Sequence, residues 1–290
     1  MNSEILKDFK INKISIKGKS TIIDDRYVLK ENKTKYYDYL PVRDFMYFPN
    51  VEKVDDKYIV TKYIEDKNIP INQRLEDMIY LVSILHNHTS YDKEIDIDTI
   101  KEKYEYLIDK LDNLMKYYLS LQDLIEDEEY MSPANYLLIR NVSLIYMCIR
   151  ESRKYLDKWY KKICVNKKVR YVYTHGNLEI DHLLENDKLY LISWDKSKLD
   201  LPIYDIENFY RKNFNNIKLD TIMKIYSKKY ILSSEELDLL FCILLIPDKI
   251  DMNKKEYPRI KDISNMLLYL EDTIYVLKNY SKEHDKEPNK

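Results

Sequence analysis

Two glycines in 290 residues constrain this chain more than any other feature of its sequence. A chain of this length ordinarily carries roughly twenty. The two are Gly18 and Gly176, and the compensating excess is tyrosine, with 29. A dinucleotide-binding fingerprint needs three closely spaced glycines, and the phosphate loop of the P-loop NTPases needs two with a Gly-Lys. Neither pattern can be written with these two residues, so Rossmann dehydrogenases and P-loop NTPases are excluded. Collagenous and glycine-linker architectures are excluded with them.

The remaining composition is that of a globular protein, 45% hydrophobic and 34% charged. Lys+Arg 48 against Asp+Glu 50 leaves a net charge of -2. No bulk electrostatic attraction favours nucleic acid or an anionic membrane, and neither is expected as a partner. The longest apolar runs, Met78–Leu85 and Leu239–Ile246, are far too short to span a bilayer. The opening MNSEILKDFK has no signal-peptide core. Cys148, Cys164 and Cys242 are odd in number and widely spaced, giving neither a zinc pattern nor a disulfide framework. A reducing, cytoplasmic setting is expected.

Residues 1–66 read as a strand-rich lobe. Lys10–Ile16 alternates, and Ser20–Lys30 places two apolar stretches around an Asp-Asp turn. Thr34–Phe45 reads as a short helix interrupted at Pro41. Val51–Val54 and Lys57–Tyr63 form a hairpin whose turn is Asp55-Asp56. After Asp66 the period changes to helical. Leu75, Met78, Ile79, Val82 and Leu85 mark a helix over Asn72–His88. Leu107, Leu111, Leu114, Tyr118, Leu121 and Ile125 mark a second, and Ser132-Pro133 starts a third that turns back along it. Strands return at Val169–Thr174, His182–Leu184 and Lys188–Trp194. Helices follow at Ile203–Lys212, Leu219–Lys229, Glu235–Ile246 and Ile260–Lys278. The expected organisation is α+β: a β-rich N-lobe (1–66), a helical C-lobe with a small hairpin near 173–195 (67–280), and a charged, disordered tail (281–290).

The segment that carries chemistry is Tyr173–Asn208, YTHGNLEIDHLLENDKLYLISWDKSKLDLPIYDIEN. His175-Gly176 is followed by a hairpin, then Ile192-Ser193-Trp194, then Asp200-x-Pro202-x-x-Asp205. This resembles the catalytic segment of the aminoglycoside phosphotransferase and choline kinase branch of the protein-kinase-like superfamily. That pattern is H-G-D-x-x-x-x-N, a hairpin, I-D-[FW], and D-P-x-x-D. Leu85-His86 resembles the family's leucine-histidine helix end, and Val28-Leu29-Lys30 the strand bearing its nucleotide-binding lysine. The sub-branch it most resembles is the spore coat protein S (CotS)-like kinases. The resemblance implies a two-lobed protein-kinase-like fold, with ATP and Mg²⁺ as cofactors.

The departures are chemical. Asn177 stands where the pattern has its catalytic aspartate, His182 where it has the metal-binding asparagine, and Ser193 where it has the metal-binding aspartate. Phosphoryl transfer needs a carboxylate to orient the acceptor hydroxyl and oxygen ligands to hold magnesium. Asn177 has no basic oxygen, and His182 offers nitrogen to a hard cation. Asp195, two residues after Ser193, restores the same strand face but sits roughly 6.5–7 Å further along an extended chain. A bulge would be needed to bring it into place.

The resemblance also assigns Lys30 to the nucleotide phosphates, Gly18 to the loop over them, and Glu65 to the hinge that meets adenine. His175 and Asp205 are expected to brace the catalytic loop, Asp205 by accepting backbone N–H groups. His86 and His88 read as polar helix-end residues that do not share a face.

Three functions follow as expectations. The first is a degenerate kinase-like protein acting as a binding or assembly component, with spore coat proteins as partners and location by analogy. The second is an active phosphotransferase for small hydroxylated molecules, with Asp195 rewired to the metal. The third is an interaction protein using the Leu107–Ile125 stripe as its partner surface.

Overall fold

The computed structural model describes residues 4–7 and 9–284. A short 3-10 turn, Glu4–Leu6, precedes strands β1 (Ile14–Lys17), β2 (Ser20–Ile23) and β3 (Tyr27–Glu31). Helix α1 (Tyr36–Tyr39) runs into a 3-10 turn at Pro41–Arg43, followed by β4 (Val51–Val54) and β5 (Tyr58–Lys62). Then come α2 (Ile71–Thr89), β6 (Tyr91–Glu94), α3 (Ile97–Glu126), α4 (Pro133–Asn166) and β7 (Lys168–Thr174). The short hairpin of β8 (Leu183–Glu185) and β9 (Leu189–Leu191) precedes β10 (Lys198–Asp200). The chain finishes with α5 (Ile203–Asn213), α6 (Leu219–Tyr226), α7 (Ser234–Leu244) and α8 (Glu256–His284).

Two compact units result. One comprises Met1–Tyr91, Arg170–Lys212 and Ile222–Ile231; the other comprises Asp92–Val169, Asn213–Thr221 and Leu232–Lys290.

The first unit carries a five-stranded antiparallel sheet in the order β1-β2-β3-β5-β4. Strand alternation sets its faces. Ile23, Leu29 and Val60 point to one side, where Ile5 and Leu6 bury them with Phe9, Tyr27 and Tyr58 at the margin. Lys30, next to Leu29 and opposite Ile59, points to the other. The turns are as the sequence predicts, at Gly18, Asp24-Asp25 and Asp55-Asp56. Strand β1 starts later than the alternation from Lys10 suggests. The Asp24 carboxylate caps the backbone N–H groups of Asn12 and Lys13, holding that stretch as a loop.

The second unit is helical. Helix α4 packs on α3, α7 and α8. The whole α3 stripe from Leu107 to Ile125 is buried, so it is core and not a partner surface. Asp96 caps α3 through Thr99 N, and Ser132 caps α4 through Asn135 N, with Pro133 in its first turn. Ser233 and Glu236 form a reciprocal capping box on α7. Tyr104 donates to Asp157 (2.7 Å) and Arg153 pairs with Asp112 (2.6 Å), tying α3 to α4.

Several boundaries differ from the sequence reading. Strand β9 ends at Leu191, not at Trp194, because Ser193 takes a left-handed conformation and Trp194–Lys196 forms a 3-10 turn. Strands β6 and β10 are too short to show as alternation. Helix α6 stops at Tyr226, and α8 runs from Glu256 to His284. Of the tail expected to be disordered, 281–284 continue α8 and 285–290 lie outside the described residues. Among the described residues no helix is long and apolar enough to cross a membrane.

Leu111→Ala removes a fully buried side chain and is expected to cost about 2–5 kcal/mol. Leu119→Ala, at a position 46% exposed on the same helix, should change stability by no more than about 0.5 kcal/mol. Urea unfolding midpoints of the two variants distinguish core from surface.

Candidate functional site

Asp205, in the first turn of α5, is 1% exposed and organises the loop after β7. Its carboxylate accepts His175 N (2.7 Å) and Gly176 N (2.8 Å). His86 Nε2–H donates to the same carboxylate at 3.1 Å, while its Nδ1 faces the Tyr226 hydroxyl at 2.6 Å. Burial alone would raise the Asp205 pKa. The His86 hydrogen bond and charge, with the His175 and Gly176 contacts, outweigh burial and hold it below the usual carboxylate range.

His86 is therefore a fully buried partner of Asp205, not the polar helix-end residue the sequence reading made it. The signal was present. Leu75, Ile79, Val82 and His86 follow a four-three-four spacing and share one helical face. His88 is exposed, with its ring bonded to the Arg43 carbonyl (2.9 Å).

Gly176 is the one position that only glycine satisfies. Its φ is +71°, and a Cβ there would lie 2.5 Å from the Lys196 carbonyl oxygen. Gly18, at φ +59°, turns β1 into β2 through a two-residue hairpin, and a Cβ there meets nothing within 4 Å.

His175 is fully buried between the loop and the following segment. Its Nε2–H donates to the Ile192 carbonyl (2.9 Å), its ring lies against Trp194 (4.7 Å), and its Nδ1 has no hydrogen-bond partner. Burial pushes its pKa down to about 4 against the pull of Asp205. Trp194 in turn stacks on Tyr36 (5.3 Å) and gives its carbonyl to the Thr34 hydroxyl (3.0 Å).

Lys30 and Ser193 meet. Lys30 Nζ donates to Ser193 Oγ at 3.1 Å, across 163 residues of sequence. Ser193 adopts φ 67°, ψ 52°, an uncommon conformation for a residue with a Cβ. That left-handed step replaces the extended chain along which Asp195 would lie roughly 6.5–7 Å further on. Asp195 instead lies exposed in the 3-10 turn. Burial lowers the Lys30 pKa, and the Asp195 charge partly opposes it.

Asn177 is half-buried. Its carbonyl accepts His182 Nδ1–H at 2.6 Å, and its side-chain amide makes no hydrogen bond within the described residues. Glu65 is exposed, and its carbonyl accepts the Asn186 side-chain amide (2.7 Å). Asp66 takes Glu185 N (2.9 Å) and pairs with Arg74 (2.9 Å), so the segment after β5 is clasped to the β8–β9 hairpin. That clasp, from Arg74 and Asn186, has no signature in the sequence.

The donor set at Asn177, His182 and Ser193, the three positions the resemblance assigns to catalysis and metal, does not suit Mg²⁺. It comprises a neutral amide, an imidazole with one nitrogen engaged, and a hydroxyl already accepting from a lysine. Among the described residues, no group of three or more His, Cys, Asp or Glu side chains is placed to hold a metal ion.

No protein-family profile matches the sequence, and no curated protein does. Solved structures do match. An aminoglycoside phosphotransferase from Alicyclobacillus acidocaldarius superposes with a TM-score of 0.72 at 11% identity, over 97% of this chain and 94% of that one. AMP-bound spectinomycin phosphotransferase gives 0.52 at 13%, over 93% and 96%. Glucosamine kinase in complex with glucosamine, ADP and inorganic phosphate gives 0.54 at 8%, over 92% and 75%. At these identities the likeness is one of fold. The chain has the α+β fold of the aminoglycoside phosphotransferases, with a small antiparallel N-lobe sheet and a larger, mainly helical C-lobe, as the sequence predicts.

Two outcomes follow from this geometry. Gly176→Ala should cost about 2 kcal/mol or more, from strain and the Lys196 contact together, and Gly18→Ala only about 1 kcal/mol. Thermal denaturation of the two variants reads the difference. The second concerns acid. The unfolded chain protonates His175 near 6.5, whereas the native one does so only near 4. Between those values the unfolded state binds more protons, so stability falls as pH falls from 6.5 toward 4, by on the order of 3 kcal/mol. The depressed Asp205 adds loss in the same direction at lower pH. His175→Gln, which does not titrate, should flatten the upper part of that slope in urea titrations.

Proposed function

We propose that this protein is a kinase-like nucleotide-binding protein in which phosphoryl transfer is lost or nearly lost. It serves as a binding or assembly component, the role implied by its resemblance to spore coat protein S-like kinases. The observation that carries the reading is the Lys30–Ser193 hydrogen bond of 3.1 Å. The lysine assigned to the nucleotide phosphates reaches the position where a metal-binding aspartate is expected and finds a neutral hydroxyl. Asn177 compounds the effect, since an amide orients an acceptor hydroxyl but takes no proton from it. General-base assistance contributes typically 10²–10⁴-fold, so its loss alone leaves little turnover.

The reading is supported by a fold retained without its carboxylates. The Asp205 bonds to His175 and Gly176 hold the loop in shape although the residue that follows is changed. Braces survive because they maintain the fold; the groups that would perform chemistry do not.

One observation favours a second reading, an active small-molecule phosphotransferase that uses Asp195. The turn begun at Ser193 leaves Asp195 close enough for its charge to oppose the lowered pKa of Lys30.

Transfer of phosphate from ATP to small hydroxylated compounds is the discriminating assay. Turnover is expected at background and unchanged by Asn177→Ala; robust turnover abolished by Asn177→Ala overturns the first reading. The second requires that Asp195→Ala remove activity and Ser193→Ala leave it.

A further inference from the structure

We propose that the site binds the phosphates of a nucleoside triphosphate as a free polyanion, without a divalent cation, with Lys30 as the attracting charge and Asp195 as an opposing one. This rests on the nucleotide-binding reading above and says what form of nucleotide the site takes.

Charge balance around the phosphates favours a metal-free anion. In the pattern this chain resembles, a divalent cation offsets two nearby carboxylates that would otherwise repel phosphate. Here both carboxylates are gone, as Asn177 and Ser193. Removing two negative charges and a cation of charge two leaves the net charge around the phosphates unchanged, and no carboxylate at those two positions remains for a metal to offset. The donors present would not recruit one. Ser193 Oγ already accepts from Lys30 Nζ, and His182 Nδ1–H is committed to the Asn177 carbonyl.

What remains suits phosphate oxygens directly. Lys30 is half-buried, lies on the face of the sheet opposite Leu29, and hydrogen-bonds no carboxylate within the described residues. An ammonium held this way gains from an anion more than a solvated lysine does. Because Lys30 donates to Ser193 Oγ, the serine's own hydroxyl hydrogen is free to point at a second acceptor. Asn177, directly after the loop that Asp205 braces, carries a side-chain amide with two N–H donors and no hydrogen bond within the described residues. Each of these is a donor, which is what a polyphosphate requires and a metal cation does not.

Asp195 gives the inference its sharpest consequence. Exposed and within electrostatic reach of Lys30, it repels phosphate if no metal is present and attracts the metal if one is. Neutralising it therefore changes affinity in opposite directions in the two cases.

The test is calorimetric titration of the full chain with ATP and with AMP, in EDTA and again in excess MgCl₂. ATP is expected to bind in EDTA at least as tightly as with Mg²⁺, and at least tenfold more tightly than AMP. Asp195→Asn should tighten ATP binding in EDTA severalfold, and Lys30→Met should weaken it tenfold or more. Asp195 is exposed, so that variant keeps the test sound even if Lys30→Met fails to fold. ATP binding that is lost in EDTA and restored by Mg²⁺, or weakened by Asp195→Asn, overturns the inference while leaving the nucleotide reading intact. No binding of ATP under either condition overturns both.

Discussion

The buried carboxylate of Asp205 is the interaction on which the rest of the site depends. A carboxylate at 1% exposure is tolerable only if its lone pairs are filled, and two backbone N–H groups and one imidazole fill them. In filling them, Asp205 fastens the loop after β7 to α5, and through His86 and Tyr226 to α2 and α6. The loop's path then requires a residue without a side chain at Gly176, where the Lys196 carbonyl passes too close for a Cβ. His175 follows from the same geometry. It is buried, neutral and bonded to Ile192, and it carries the order of the loop forward to Ser193 and Trp194.

Burial separates the groups that brace the loop from the residues that the resemblance places at the catalytic positions. The bracing groups, Asp205, His86, His175, Gly176 and Trp194, are buried or sterically confined, and removing any one leaves an unpaired polar atom, a clash or a cavity. Asn177, His182 and Ser193 are only half-buried, and each side chain makes one hydrogen bond or none within the described residues. The left-handed backbone at Ser193 is held by the surrounding bonds, Ile192 N to the His182 carbonyl and Lys30 to Ser193 Oγ.

Much of the architecture was legible in the sequence because it rests on periodicity. The strands of the N-lobe sheet, the α3–α4 hairpin and its buried stripe, and the Ser132-Pro133 helix start each need only local pattern and local chemistry. The elements that were missed or misjudged depend on distant groups. Strand β9 ends early because Ser193, bonded to Lys30 from 163 residues away, turns left-handed, and β1 starts late because Asp24 caps Asn12 and Lys13. His86 looked like a helix-end polar residue because its partner, Asp205, is 119 residues away.

By itself the sequence determined which nucleotide folds were impossible, through its two glycines. It also determined that Asn177, His182 and Ser193, and no carboxylates, stand at those three places in the segment Tyr173–Asn208. Only the tertiary structure decided what those residues touch. That Lys30 reaches Ser193, 163 residues away, and that the Lys196 carbonyl lies against Gly176 are contacts between separated segments of the chain. Such contacts are set by packing and burial rather than by local preference, so no period or spacing in the sequence encodes them.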